Sequence, residues 1–200
     1  MKKILLLFTI LFISVITTAC INNFAIQELN NKAETYLNNG DTETAICRLK
    51  SSLELDDEIY QTHYNLAVAY NTIGNYKGSL EESKKVIELK PDLANAYYTM
   101  ALAKEGLAFE ILNKEEELTL DEIADFNNKA ADAVETYNKY LVMNTNQEET
   151  EKINQKISEI NGKIQEYSTI YETRNSEKNQ KLQEELKTQP EENNNEDVNN

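Results

Sequence analysis

Few residues in this chain could do chemistry. It has one histidine, His63, and two cysteines, Cys20 and Cys47. His63 shares a helical stripe with Leu66, Ala67 and Tyr70, so packing in a core is the expected role, because metal or acid–base work would need convergent partners that the sequence does not supply. Cys47 lies between Ile46 and Arg48, and one nearby cation does not build a reactive thiolate, so it reads as a small helical residue. The carboxylates come in consecutive runs, Glu81-Glu82, Glu115-Glu116-Glu117 and Glu148-Glu149. Neighbours in sequence diverge around a helix instead of converging on a substrate, so these runs read as solvated faces. Phosphate-binding glycine loops, clustered metal ligands and nucleophile elbows are lacking. The expectation is a non-enzyme with no catalytic residue, no metal and no cofactor.

The residues around these few groups are those of long helices. Five Gly, two Pro and no Trp stand against abundant Ala, Leu, Glu, Lys and Asn, which predicts an all-α chain. The formal net charge of −15 disfavours nucleic acid and anionic headgroups as direct partners, since both repel such a surface.

Cys20 differs from Cys47 in its setting. Lys2 and Lys3 precede an apolar run from Ile4 to Ile16, too short at about 20 Å of helix to span a hydrocarbon core of about 30 Å. This is the layout of an export leader. The run Thr17-Thr18-Ala19-Cys20 resembles the lipobox of bacterial lipoproteins, with Thr17 where that family usually has Leu. The resemblance implies removal of residues 1–19, acylation of Cys20 and a short tether over 20–25. It places the protein outside the cytoplasm, held to a membrane; Ile21 after the Cys leans toward an outer membrane, facing the periplasm, in a host with two membranes. Cys47 then has no partner for an intramolecular disulfide.

Self-comparison reveals a repeat of 34 residues. Ala33, Ala67 and Ala101 share this spacing, as do Tyr36 and Tyr70, Gly40 and Gly74, Ile46 and Leu80, Leu53 and Ile87, and Leu55 and Leu89. Within a copy the apolar spacing is helical, Gly74-Asn75 breaks the run, and Pro91 closes it, so each unit is a helical hairpin. Residues 60–93 resemble a tetratricopeptide repeat (TPR) through Leu66, Ala67, Tyr70, Gly74, Tyr76, Ser79 and Pro91. Residues 26–59 match more loosely. A third copy, 94–146, carries an insertion that lengthens both of its helices, with a capping box at Thr119 and Glu122 fixing one helix start. The predicted fold is thus an all-α, TPR-like solenoid of about three hairpins over residues 26–146.

From 147 to 175 Ile153, Ile157, Ile160, Ile164, Tyr167 and Tyr171 form a heptad stripe, suited either to cap the solenoid or to dimerise as a coiled coil. Residues 176–200, rich in Glu, Lys, Gln and Asn, read as a disordered tail.

The family resemblance implies a concave groove lined by the first helix of each hairpin. The matching positions include Tyr64, Val68 and Asn71 in one copy and Tyr98, Leu102 and Glu105 in the next. Relatives that clamp a C-terminal carboxylate use basic groove residues, whereas Asn30, Glu34, Asn95 and Thr99 stand here, with only Asn65 agreeing. The expected function is an anchored scaffold in a cell-envelope assembly that takes a protein or peptide partner. The alternative is a spacer that self-associates through the heptad helix, as a homodimer.

Overall fold

A computed structural model describes residues 2–188, with the side chains of 2–8, 10–20 and 188 outside what it describes. Among the described residues there are seven helices and no strand: α1 (Lys2–Asn38), α2 (Thr42–Leu53), α3 (Tyr60–Thr72), α4 (Tyr76–Leu89), α5 (Ala94–Leu112), α6 (Leu120–Met143) and α7 (Gln147–Thr188). Consecutive helices pack as antiparallel hairpins, α1 with α2, α3 with α4 and α5 with α6, and α7 lies against α6.

The 34-residue columns have direct physical meanings. Gly40 and Gly74 take φ of 80° and 73°, the left-handed conformation that ends α1 and α3 without a Cβ clash. The next residue starts the following helix: Asp41 accepts from Thr44 N at 3.2 Å, and Asn75 from Gly78 N at 3.1 Å. Ala33, Ala67 and Ala101 are fully buried, each where a larger side chain would push helices apart.

The third hairpin departs from the pattern as expected. α5 and α6 run for 19 and 24 residues against 13 and 14 in the preceding pair. The capping box at the start of α6 is formed, Thr119 and Glu122 satisfying each other's backbone N–H. Leu118 just before it is buried.

α7 packs its stripe on this long hairpin. Ile153 and Ile160 are buried in one cluster with Ala101, Phe126, Ala130, Tyr137 and Tyr140, and Ile157, Ile164 and Tyr167 pack at its edge. Asn146 caps the helix by accepting from Glu148 N. Farther on, Arg174 donates to the Leu118 carbonyl at 2.6 Å, tying α7 to the tip of the overhang.

Three expectations are corrected. The helix expected to stop at 175 continues to Thr188, so the first half of the expected tail is helical, and residues 189–200 lie outside the described residues. Residues 20–25, expected as a short tether, are helical, part of α1, which runs without a break from Lys2. Glu82 and Glu149 are not merely solvated: Glu82 meets His63, and Glu149 accepts from Tyr140 Oη at 2.7 Å.

Candidate protein-binding groove

α3 and α5 lie side by side as the first helices of successive hairpins, and the 34-residue spacing brings equivalent positions to one face. Tyr64, Val68 and Asn71 on α3 and Tyr98, Leu102 and Glu105 on α5 line a single cavity of about 580 Å³. Thr72, Tyr76, Thr99, Gly106, Phe109 and Lys156 complete it. Its lining is therefore largely aromatic and aliphatic, with a few polar groups among it.

Each of these side chains is placed by a local cause. Tyr98 is both wall and core, its ring 5.3 Å from that of Tyr140 and 6.1 Å from that of Tyr137. Such tilted aromatic contacts fix its orientation. Asn71 Nδ2 donates to the Thr99 carbonyl at 3.0 Å, bridging α3 to α5. Its Oδ1 is buried and has no partner among the described residues. Gly106 allows the ring of Tyr76 to lie flush on α5: a Cβ there would stand 2.4 Å from Tyr76 Cδ1.

Glu105 lines the cavity but its carboxylate is taken. It accepts from Tyr137 Oη and, at 2.8 Å, from Lys156 Nζ on α7. Burial, and then the neighbouring Glu105 carboxylate, push the Tyr137 phenol far above its ordinary pKa, so it stays a donor. Tyr140 behaves alike, pushed up to about 12 by burial and by Glu149. Glu105 thus joins α5, α6 and α7 and is a structural hub more than a free contact. On the far side of the Glu105–Lys156 pair lies a second cavity of about 520 Å³, also bordered by Phe109 and Ile160.

Farther along the same face, Asn23, Gln27, Asn30, Asn31, Gln61 and Asn65, with Ile26, Glu34 and Ile59, border a smaller cavity of about 440 Å³. Asn30 there donates to Ser52 Oγ and Thr62 Oγ1 and accepts from Asn65, so part of this amide set locks α1 to α2 and α3.

His63 stands outside the groove. It is 6% exposed, its Nδ1 donates to Glu82 Oε2 at 2.6 Å, and its Nε2 to the Asp57 carbonyl at 2.8 Å. Cys47 sits on α2, exposed. The side chain of Cys20 lies outside the described residues.

Tyr76, Phe109 and Lys156 were not foreseen from sequence. Tyr76 belongs to a second helix, and Phe109 falls where the third copy leaves the 34-residue pattern. Lys156 arrives from 51 residues beyond Glu105.

Comparison with known proteins bears on the fold. Residues 60–93 match the tetratricopeptide repeat family. Comparison with curated proteins gives no match. Among solved structures, the first TPR domain of human RPAP3 superposes with a TM-score of 0.55 at 16% identity, over 72% of this chain and 95% of that one. The second TPR domain of human RPAP3, in complex with the HSP70 peptide SGPTIEEVD, gives 0.54 at 16% identity, over 70% and 98%. The first TPR of Spaghetti (RPAP3), bound to the HSP90 peptide SRMEEVD, gives 0.50 at 19% identity, over 66% and 95%. At such identities the shared property is the fold, an all-helical solenoid of stacked hairpins.

Proposed function

We propose that this tetratricopeptide-type solenoid is a non-enzymatic scaffold, lipid-anchored through Cys20 on the extracytoplasmic side of a membrane, whose α3–α5 groove holds a segment of a partner protein in a cell-envelope assembly. The observation that carries the binding reading is the convergence of Tyr64, Val68, Tyr98 and Leu102 on one cavity. An aromatic-walled trough of this size accepts a few apolar side chains of an extended or helical segment, with desolvation of the rings supplying most of the affinity. The anchoring reading is supported by the leader pattern and the run ending at Cys20.

The groove suits an apolar segment better than the acidic peptides held by the RPAP3 domains. Its one cation, Lys156, is already paired with Glu105, and the chain as a whole is strongly negative. The test is site-specific photocrosslinking in the native host. A crosslinker at Val68 is expected to give a discrete adduct that a crosslinker at Lys84, on the outer helix of the same hairpin, does not give. Tyr64→Ala should reduce the Val68 adduct about tenfold or more, as loss of an aromatic anchor does. Equal adducts at both positions would overturn the groove assignment.

A further inference from the structure

Two large apolar side chains stand in solvent immediately after Cys20. Ile21 is 66% exposed and Phe24 is 69% exposed, and their spacing of three puts them on one side of α1. The first buried residue of the solenoid, Ile26, follows at once. Residues 21–27, Ile-Asn-Asn-Phe-Ala-Ile-Gln, carry no charge, and the first acid, Glu28, is paired with Lys32 at 2.7 Å.

The geometry of α1 decides what that stretch meets. A helix rises about 1.5 Å per residue, so Phe24 lies about 6 Å and Ile26 about 9 Å along the axis from Cys20. The polar layer of one leaflet is roughly 5–8 Å deep. Because residues 20–25 are helical, no slack separates an acyl chain on Cys20 from the first hairpin.

We propose that Ile21 and Phe24 seat the N-terminal turn of the solenoid in the interfacial layer of an electrically neutral lipid surface, so that the domain is oriented by a second contact and does not swing from its acyl chains. The seat rests on the reading of Cys20 as the acylated residue. Apolar side chains at this depth add to acyl anchoring, and Asn22, Asn23 and Gln27 supply uncharged hydrogen-bonding groups for headgroup oxygens. Anionic lipid is disfavoured by the negative charge of the domain.

The chain has no Trp, so one introduced indole reports alone. The full chain, exported and processed in a bacterial host, is reconstituted into phosphatidylcholine vesicles brominated near the carbonyl end of the acyl chains. Phe24→Trp is compared with Ile73→Trp, which lies in the turn after α3 at the opposite end of the hairpins. The expected result is blue-shifted emission from the Phe24→Trp variant, quenched about twofold or more by the brominated lipid, with emission from the Ile73→Trp variant unquenched. Vesicle-bound Phe24→Trp protein whose indole is unquenched overturns the seat and leaves the anchor standing. Equal quenching of the two variants overturns it in favour of adsorption over the whole surface. Cys20→Ser added to Phe24→Trp separates the readings: if this double variant runs at mature size, its leader removed, and still stays with vesicles at high salt, the anchor reading fails, and quenching of its indole then judges the seat without it. Failure of the parent protein to associate with vesicles at all overturns both.

Discussion

At the scale of single residues, His63 shows how a lone polar group can be given two jobs by its neighbours. Both ring nitrogens face acceptors, the Glu82 carboxylate and the Asp57 carbonyl, so the doubly protonated ring satisfies every hydrogen bond. Burial opposes the charge and Lys85 adds to that, but Glu82 and the carbonyl outweigh them and hold the pKa above its ordinary 6.5. The imidazolium therefore stabilises the fold fully below that ordinary value, and the contribution is lost as pH rises through the higher folded value. Thermal melts should show a midpoint that falls as pH rises above 6.5 through the folded value, with a flatter profile in His63→Gln, and NMR should place the His63 titration above 6.5. The histidine's buried position was readable from its stripe. The role of Glu82 was not, since adjacent acids diverge around a helix and so one of the two can turn inward while Glu81 stays out. Gly106 makes a second residue-scale case. Alanine in a helix interior normally gains up to about 1 kcal/mol over glycine. Here the added methyl would drive into the Tyr76 ring, so Gly106→Ala should instead destabilise by about 1–3 kcal/mol in a urea titration.

At the scale of elements, α7 carries two regimes on one helix. Up to about Arg174 it is held by the buried isoleucines and by Lys156 and Arg174; beyond, its side chains from Ser176 to Lys187 are exposed, including Leu182 and Leu186. The 4-3 spacing of the isoleucines made the helix legible and left its partner open; the structure places that stripe against α5 and α6 of its own chain. The C-terminal end was missed because a composition unable to bury apolar area excludes a core but not an exposed helix, and Glu, Lys, Gln and Leu favour one. Ile160→Lys puts an unpaired ammonium beside Phe126 and Tyr137 and should cost roughly 3 kcal/mol or more. The expected readout is early proteolytic cleavage in 147–188 while α1 to α4 remain protected. α1 carried a different lesson: the proposed processing point at Cys20 leaves no mark in a helix that is continuous through it.

At the scale of the molecule, charge and topology act together. The net charge of −15 strains the compact state by self-repulsion, whereas most ion pairs among the described residues join exposed groups and contribute little. Screening should therefore help more than it harms: the melting midpoint is expected to rise on going from about 10 mM to about 200 mM sodium chloride. A midpoint that fell instead would mean that pairs such as Glu105–Lys156 dominate. The groove was legible because repetition at 34 residues places equal positions on one face, and all six expected residues do share a cavity. What lay beyond the pattern was the wall supplied by α7, which no local spacing encodes.

That wall has a consequence for whatever enters. The Glu105–Lys156 pair spans the trough between α5 and α7 and divides it into compartments of about 580 and 520 Å³. On the proposed function, a segment lying along α3 and α5 would meet this pair as a crossbar, so the trough would measure its guest as well as recognise it. Length would then be a threshold: a guest with a short apolar end fits up to the bar, and a longer one only if the Glu105–Lys156 pair opens.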